Sequence, residues 1–464
     1  MTRAHLLPCA AAAAIGFTSL ARAQVLTTQY DNARTGTTLT ETLLTPANVN
    51  SGRFGKLFTL KVDGDVYAQP LYVPRVDIPG KGVHDVVFIA TEHDSVYAFD
   101  AAGQPADPLW HVSFLSANAT TVPGDTASCP FIQPEIGITP TPVIDRQTGT
   151  LYVLARTREP NGLARHRYVQ RLHALAITTG VEKFGGPVEI QASVPGTGAG
   201  ASGGQVAFDG LRELPRAGLL LSGGQVYLTW ASSCDVGPYH GWVMAYDART
   251  LKQTAVFNTS PDADDSGIWQ ADNGPAVDAS GDVYIVTGNG RFDVTEKGRD
   301  YGDTVMKLRL ANNRFEVRDY FTPADQEKLN ANDLDLGSTG PVIVPDQPGQ
   351  SAHLVLAAGK NGVVYVLDRD RLGRHQPDGD GRPLQTIAFP GGLYAAPAYW
   401  NGHLFFLGSE DHLKDYAIQN GKLSNAPVAT GTQRFARISR SARVVSRRGR
   451  ANRWRGPDRE MLPH

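Results

Sequence analysis

The sequence predicts an all-β fold, a β-propeller of four-stranded blades, and three observations carry that expectation. The stretch 83–100, VHDVVFIATEHDSVYAFD, holds two apolar runs separated by the polar loop 91–95. Both runs are rich in β-branched and aromatic residues and too short for a helix, so they read as a hairpin. A lone hairpin cannot bury its apolar faces and needs neighbours of its own kind. The sequence supplies them: VYAFD at 96 is followed by LHALA at 172, VMAYD at 243, VMKLR at 305, VYVLD at 364 and LKDYA at 413. Spacings of 76, 71, 62, 59 and 49 residues suit blades of ~40–50 residues carrying loop insertions. Finally, 49 Gly and 30 Pro in 464 residues supply the many tight turns such a fold requires.

Each repeat has the same internal order. A second run precedes the aligned one: LYVLA (151), VYLTW (226), VYIVTG (283), LVLAAG (354) and LFFLG (404). Ahead of that lies a small-residue or proline start: AQPLYV (68), TPTPVI (139), NGPAVD (273), TGPVIV (339) and APAYW (396). A sandwich has no reason to repeat this order, whereas blades around a central channel do.

From the start of the chain, Arg3 and His5 precede an apolar run from Leu6 to Leu20, then Ala21-Arg22-Ala23. This pattern predicts a secretory signal peptide over 1–23, cut before Gln24, and an exported protein, secreted or periplasmic. No other run approaches the ~18 apolar residues of a membrane-spanning helix. The polar stretch 24–50 reads as a surface wrap. The run 54–62, FGKLFTLKV, reads as a strand that would complete the last blade. The propeller domain is expected over 24–433. Two cysteines, Cys129 and Cys234, remain beyond the leader, in loops expected on one face of neighbouring blades, and the exported compartment permits them to form a disulfide. Two buried free thiols are the alternative.

The ends of the third strands carry a motif. Ala98 and Asp100 with Gly103 and Trp110, Ala174 with Thr179-Gly180, and Ala245 and Asp247 with Thr250 approximate A-x-D-x-x-T-G-x-x-x-W. The pattern resembles the tryptophan-docking repeat of the pyrroloquinoline-quinone alcohol dehydrogenase superfamily. More specifically the chain is similar to bacterial secreted quinoprotein-like propeller proteins, over about 25–433, through PEIGITPTPVID (134–145), YHGWVMAYD (239–247), IWQADNGPAVDASGDVYIVTGNGRFD (268–293) and AAGKNGVVYVLDRDRLG (357–373). The resemblance implies seven blades in the intact family. In the dehydrogenases it implies a quinone held between a tryptophan and a disulfide of adjacent cysteines, a calcium ion on acidic and amide side chains, and an Asp base. This sequence has no Cys-Cys pair, so no residue transfers to that clamp. The tryptophans read instead as packing between blades.

Loops leading into the first strands and loops joining second to third strands open on one face. That rule gathers Gln69, Glu135 and Gln270 with Glu92, His93, Arg156, His240, Asn289, Lys360 and Glu410. Gln69, His93, Glu135, Arg156, His240, Asn289 and Lys360 are the candidate ligand-binding set, with His240 favoured because Tyr239 and Trp242 flank it. The bland reading of each is a solvated or structural loop residue. The acidic turns 262–267 (DADDSG) and 378–381 (DGDG) lack the full calcium-loop spacing and predict no metal site. No Ser/His/Asp set, zinc spacing or phosphate loop stands out.

From Arg434 onward the composition changes: ten Arg, no Lys and two acids, a charge of +8 against −10 for the remainder. This Arg-rich segment, 434–464, reads as disordered or as the product of a shifted frame, and an exported propeller has little use for it in binding nucleic acid. The blade that 54–62 should complete then lacks its inner strands, so the ring is expected not to close.

The functional expectation is an exported, monomeric, non-catalytic propeller without cofactor. It would bind a small molecule, glycan or envelope protein through one channel face. The alternatives are a pyrroloquinoline-quinone- and calcium-dependent dehydrogenase, and a periplasmic assembly scaffold.

Overall fold

A computed structural model of the chain describes residues 23–436, apart from 42, 46, 128–130, 163–164 and 380–382, together with the backbone of 444–445. Cys129 and the leader 1–22 therefore lie outside the described residues, as does nearly all of 437–464. No helix among the described residues is long and apolar enough to cross a membrane.

The repeat unit becomes a blade. In blade one, Leu71–Ile78, Gly82–Ala90, Ser95–Asp100 and Trp110–Ser113 pair antiparallel in chain order. Blade two follows from Val143–Asp145 to Val188–Glu189, and blade three from Leu220–Ser222 to Gln253–Asn258. Blade four runs from Ala276–Val277 to Arg314–Phe321, blade five from Val342–Val344 to Gln385–Ala388. Blade six starts at Ala398–Trp400 and ends in Ala429–Arg434. The chain is thus a β-propeller built of four-stranded antiparallel sheets.

Alternation decides where the core sits. In a strand, odd and even side chains point to opposite faces, and both faces of each inner sheet are covered by a neighbour. Phe88 and Ala98 of blade one pack with Leu151 and Val153 of blade two. Tyr152 and Leu154, on the other face of blade two, pack with Trp230 and Trp242 of blade three. The pattern continues between blades three and four, four and five, and five and six. Among the described residues no such apolar cluster joins blade six to blade one.

The docking motif has a physical basis. Trp110 donates its indole N–H to the Ile177 carbonyl at 2.9 Å, tying blade one to blade two. Gly180 adopts φ +72°, and a Cβ there would lie 2.6 Å from Val112 and 2.8 Å from Trp110. Asp247 accepts from the Thr250 N–H and hydroxyl, both at 2.8 Å, which closes the turn after the third strand.

Two expectations are corrected. Residues 54–62 form no strand, and Phe54, Leu57 and Phe58 are exposed. A strand exists only through a ladder, and none is available to this segment. Nor do residues 25–37, the first part of the stretch 24–50, wrap the surface. Val25 exchanges hydrogen bonds with Tyr72, and the carbonyls of Leu26, Asn32, Ala33 and Thr35 accept from the N–H groups of Ile144, Val277, Ile343 and Tyr399. These partners belong to the first, channel-lining strands of blades one, two, four, five and six. Asn32 also donates to Leu221 of blade three. The segment therefore lies inside the channel, because the free edges of the inner strands need acceptors. Thr37–Thr38 then pair in parallel with Val444–Val445.

Candidate functional site

The loops ahead of the first strands and those between second and third strands gather at one channel mouth. Two pairs from the predicted set meet there. His93 Nδ1 lies 2.8 Å from Glu135 Oε1, although 42 residues separate them. Asn289 and Lys360 share carboxylates: Asn289 donates to Asp333 at 2.9 Å, and Lys360 Nζ contacts Asp333 at 2.6 Å and Asp335 at 2.5 Å. Burial pulls against the Lys360 cation, yet the two carboxylates outweigh it and raise its pKa.

The others have structural duties. Gln69 is buried; its Oε1 accepts from the Gln29 N–H and its own N–H donates to Thr141, so it faces the channel segment. His240 is buried, with Nδ1 2.9 Å from the Ser260 carbonyl and Nε2 2.9 Å from that of Ala199. Its aromatic flanks are packing, and it pins three loops together. The acidic turn at 262–267 is likewise tied up by Arg299, which pairs with Asp262 at 2.7 Å. Cys234 is disulfide-bonded.

Arg156 leads deeper. It is fully buried and donates to the Gly210 and Leu211 carbonyls, while Nη1 has no partner. Burial lowers its pKa to about 10. Glu92 and Asp94 lie within electrostatic range. Glu92 Oε2 accepts from the Gly137 N–H at 2.8 Å and from the Thr139 hydroxyl at 3.1 Å, but Oε1 is buried without a donor. Burial pushes the Glu92 carboxyl up to about 7, and raises Asp94 well above the usual carboxylate range.

Sequence reasoning missed the most exposed part of this cluster. Arg216, in the loop before blade three, sets its guanidinium 5.7 Å from the centre of the Trp269 ring. Burial lowers its pKa, against the opposing pull of Asp235, Tyr67 and Glu92. Among the described residues its guanidinium has no hydrogen-bond or ion-pair partner. Trp269 also keeps an unpartnered indole N–H, unlike Trp110. The neighbouring Gln270 is fully buried at φ +38°, with neither end of its amide satisfied. Buried polar groups without a protein partner are completed by water, an ion or a ligand. A signal existed: Trp269 lies outside the docking motif, where inter-blade tryptophans belong.

A quinone and calcium site of the kind the resemblance implies does not fit these residues. The adjacent-cysteine clamp is missing from the sequence, and no three His, Cys, Asp or Glu side chains converge as metal ligands among the described residues.

No family model and no curated protein matches the sequence. Solved structures do. A quinohemoprotein alcohol dehydrogenase from Pseudomonas putida matches at TM-score 0.57 and 16% identity, over 85% of this chain and 58% of its own. The quinohemoprotein alcohol dehydrogenase of Comamonas testosteroni matches at TM-score 0.55 and 16% identity, over 88% and 64%. A europium-containing methanol dehydrogenase matches at TM-score 0.51 and 12% identity, over 90% and 86%. The chain spans under two thirds of the length of the first two. At these identities the likeness is one of fold: this chain folds as a β-propeller, as those dehydrogenases do.

Proposed function

We propose that the chain is an exported, non-catalytic propeller that binds a small organic anion bearing a flat ring at this channel mouth. The observation carrying the reading is Arg216, a largely desolvated cation that makes no hydrogen bond or ion pair among the described residues, set beside the Trp269 ring. A ring stacked on the indole, with its carboxylate on the guanidinium, would satisfy both. The open Gln270 amide and Trp269 N–H add polar specificity. His93–Glu135 and Lys360–Asp335 frame the rim.

A second reading, quinone-dependent oxidation of an alcohol, is supported by the fold likeness, since the matching solved structures are alcohol and methanol dehydrogenases. The missing clamp weighs against it.

Binding and turnover together separate the two, because pyrroloquinoline quinone is itself a flat-ring anion and only dye reduction is particular to the dehydrogenase. Quenching of tryptophan fluorescence is followed with indole-3-acetate, with benzyl alcohol as the uncharged control, and with pyrroloquinoline quinone plus calcium. The anion should bind, benzyl alcohol should not, and Arg216→Gln should weaken the anion at least ~10-fold, the value of one charge-assisted contact. Failure of every anion to bind overturns the binding reading. Dye reduction with quinone, calcium and a primary alcohol would establish the dehydrogenase instead.

A further inference from the structure

The channel itself is filled by a segment of the chain. Residues 25–37 visit the first strands of the six blades in chain order, from Tyr72 through Ile144, Leu221, Val277 and Ile343 to Tyr399. The contacts are mostly main chain to main chain, as when an extended peptide is captured by a strand edge. At the centre Arg34 is completely buried. Its guanidinium donates to the carbonyls of Pro275 at 2.9 Å, Thr28 at 3.0 Å and Leu219 at 3.3 Å, and to the Thr27 hydroxyl at 2.7 Å. No carboxylate hydrogen-bonds or ion-pairs with it among the described residues; a cage of carbonyl oxygens does the work.

Among the described residues blade six and blade one share no apolar cluster of the kind that joins every other neighbouring pair. A cord tied to all six inner strands supplies what that seam does not.

We propose that the channel is a peptide-binding site in its own right, filled in cis by residues 25–37, whose ligand class is a hydroxyl- and amide-rich segment carrying one caged arginine. Its occupancy holds the blades in a ring. The inference is independent of the anion site at the mouth.

The test uses the full chain with a protease recognition sequence inserted between Leu43 and Leu44, where Leu43 is 77% exposed. After cleavage the short piece should co-elute with the ring on gel filtration. A fluorescent peptide of residues 24–41 should exchange into cleaved protein and not into uncleaved protein. The same peptide with Arg34→Met should compete about 100-fold less well, since several charged hydrogen bonds are lost. Release of the short piece with an unchanged melting curve overturns the proposal, as does equal competition by the Arg34→Met peptide. Should cleavage cause aggregation, rescue by excess wild-type peptide supports the proposal and failure of rescue sinks it.

Discussion

Glu92 shows how one residue couples the site to pH. It is buried with a single oxygen satisfied, and its carboxyl is held near 7 against an ordinary value of 4.5. The folded state thus keeps a proton that the unfolded state releases above pH 4.5. The resulting stabilisation is fully present below about pH 4.5 and is lost as pH rises through 7. Glu92→Gln keeps an acceptor for Gly137 and Thr139 but cannot ionise. We expect the variant to be more stable than the parent at pH 8, by on the order of 1–3 kcal/mol, with the gap closing by pH 5. Urea unfolding across that range reads it; a gap independent of pH would show that Glu92 does not titrate there.

At the scale of the element, the tryptophan dock is a contact between one blade and the turn of the next. Gly180 is required twice over, by its φ of +72° and by the Trp110 ring that a Cβ would strike. Gly224 has φ +75° and nothing within 4 Å of a Cβ. Gly224→Ala should therefore cost only the backbone penalty, about 1 kcal/mol. Gly180→Ala should cost ~2 kcal/mol or more, because overpacking adds to the same penalty. Equal losses in denaturant unfolding would mean that the dock yields without strain and contributes little.

For the whole molecule, the seam between blades six and one should open first. Blades three and four are packed on both faces, by Trp230, Tyr227, Ile285 and Tyr284 among others, whereas among the described residues the outer faces of one and six share no core. Each large side chain buried at an interface is worth ~1.5–3 kcal/mol. Native-state hydrogen exchange should accordingly run faster in Trp110–Ser113 and Ala429–Arg434 than in Arg314–Phe321, the corresponding outer strand of blade four. Uniform protection around the ring would show that other residues close the seam. Cys234 makes a second prediction at this scale. If its partner is Cys129, the oxidised chain from Gln24 onward exposes no thiol to labelling in denaturant, and two labelled thiols would refute the pairing.

The repeat, the strand identities and the turns were legible in the sequence because each depends on neighbours a few positions away. VYAFD, β-branched and aromatic, pairs as a strand because the repeat supplies its neighbours, and Asp247 closes its turn with Thr250 three residues on. The half-legible part was the site. A loop rule placed His93 near Glu135 and Asn289 near Lys360, because strand connectivity alone puts those loops on one face. The same rule could not tell that His240 would turn inward to carbonyls, or that Trp269 would stay open while Trp110 was satisfied. Nor could it say that residues 25–37 would leave the surface for the channel. Those outcomes rest on which buried donors and acceptors still lack a partner once six sheets stand around an axis. That count exists only in three dimensions, and so the tertiary structure alone decided it.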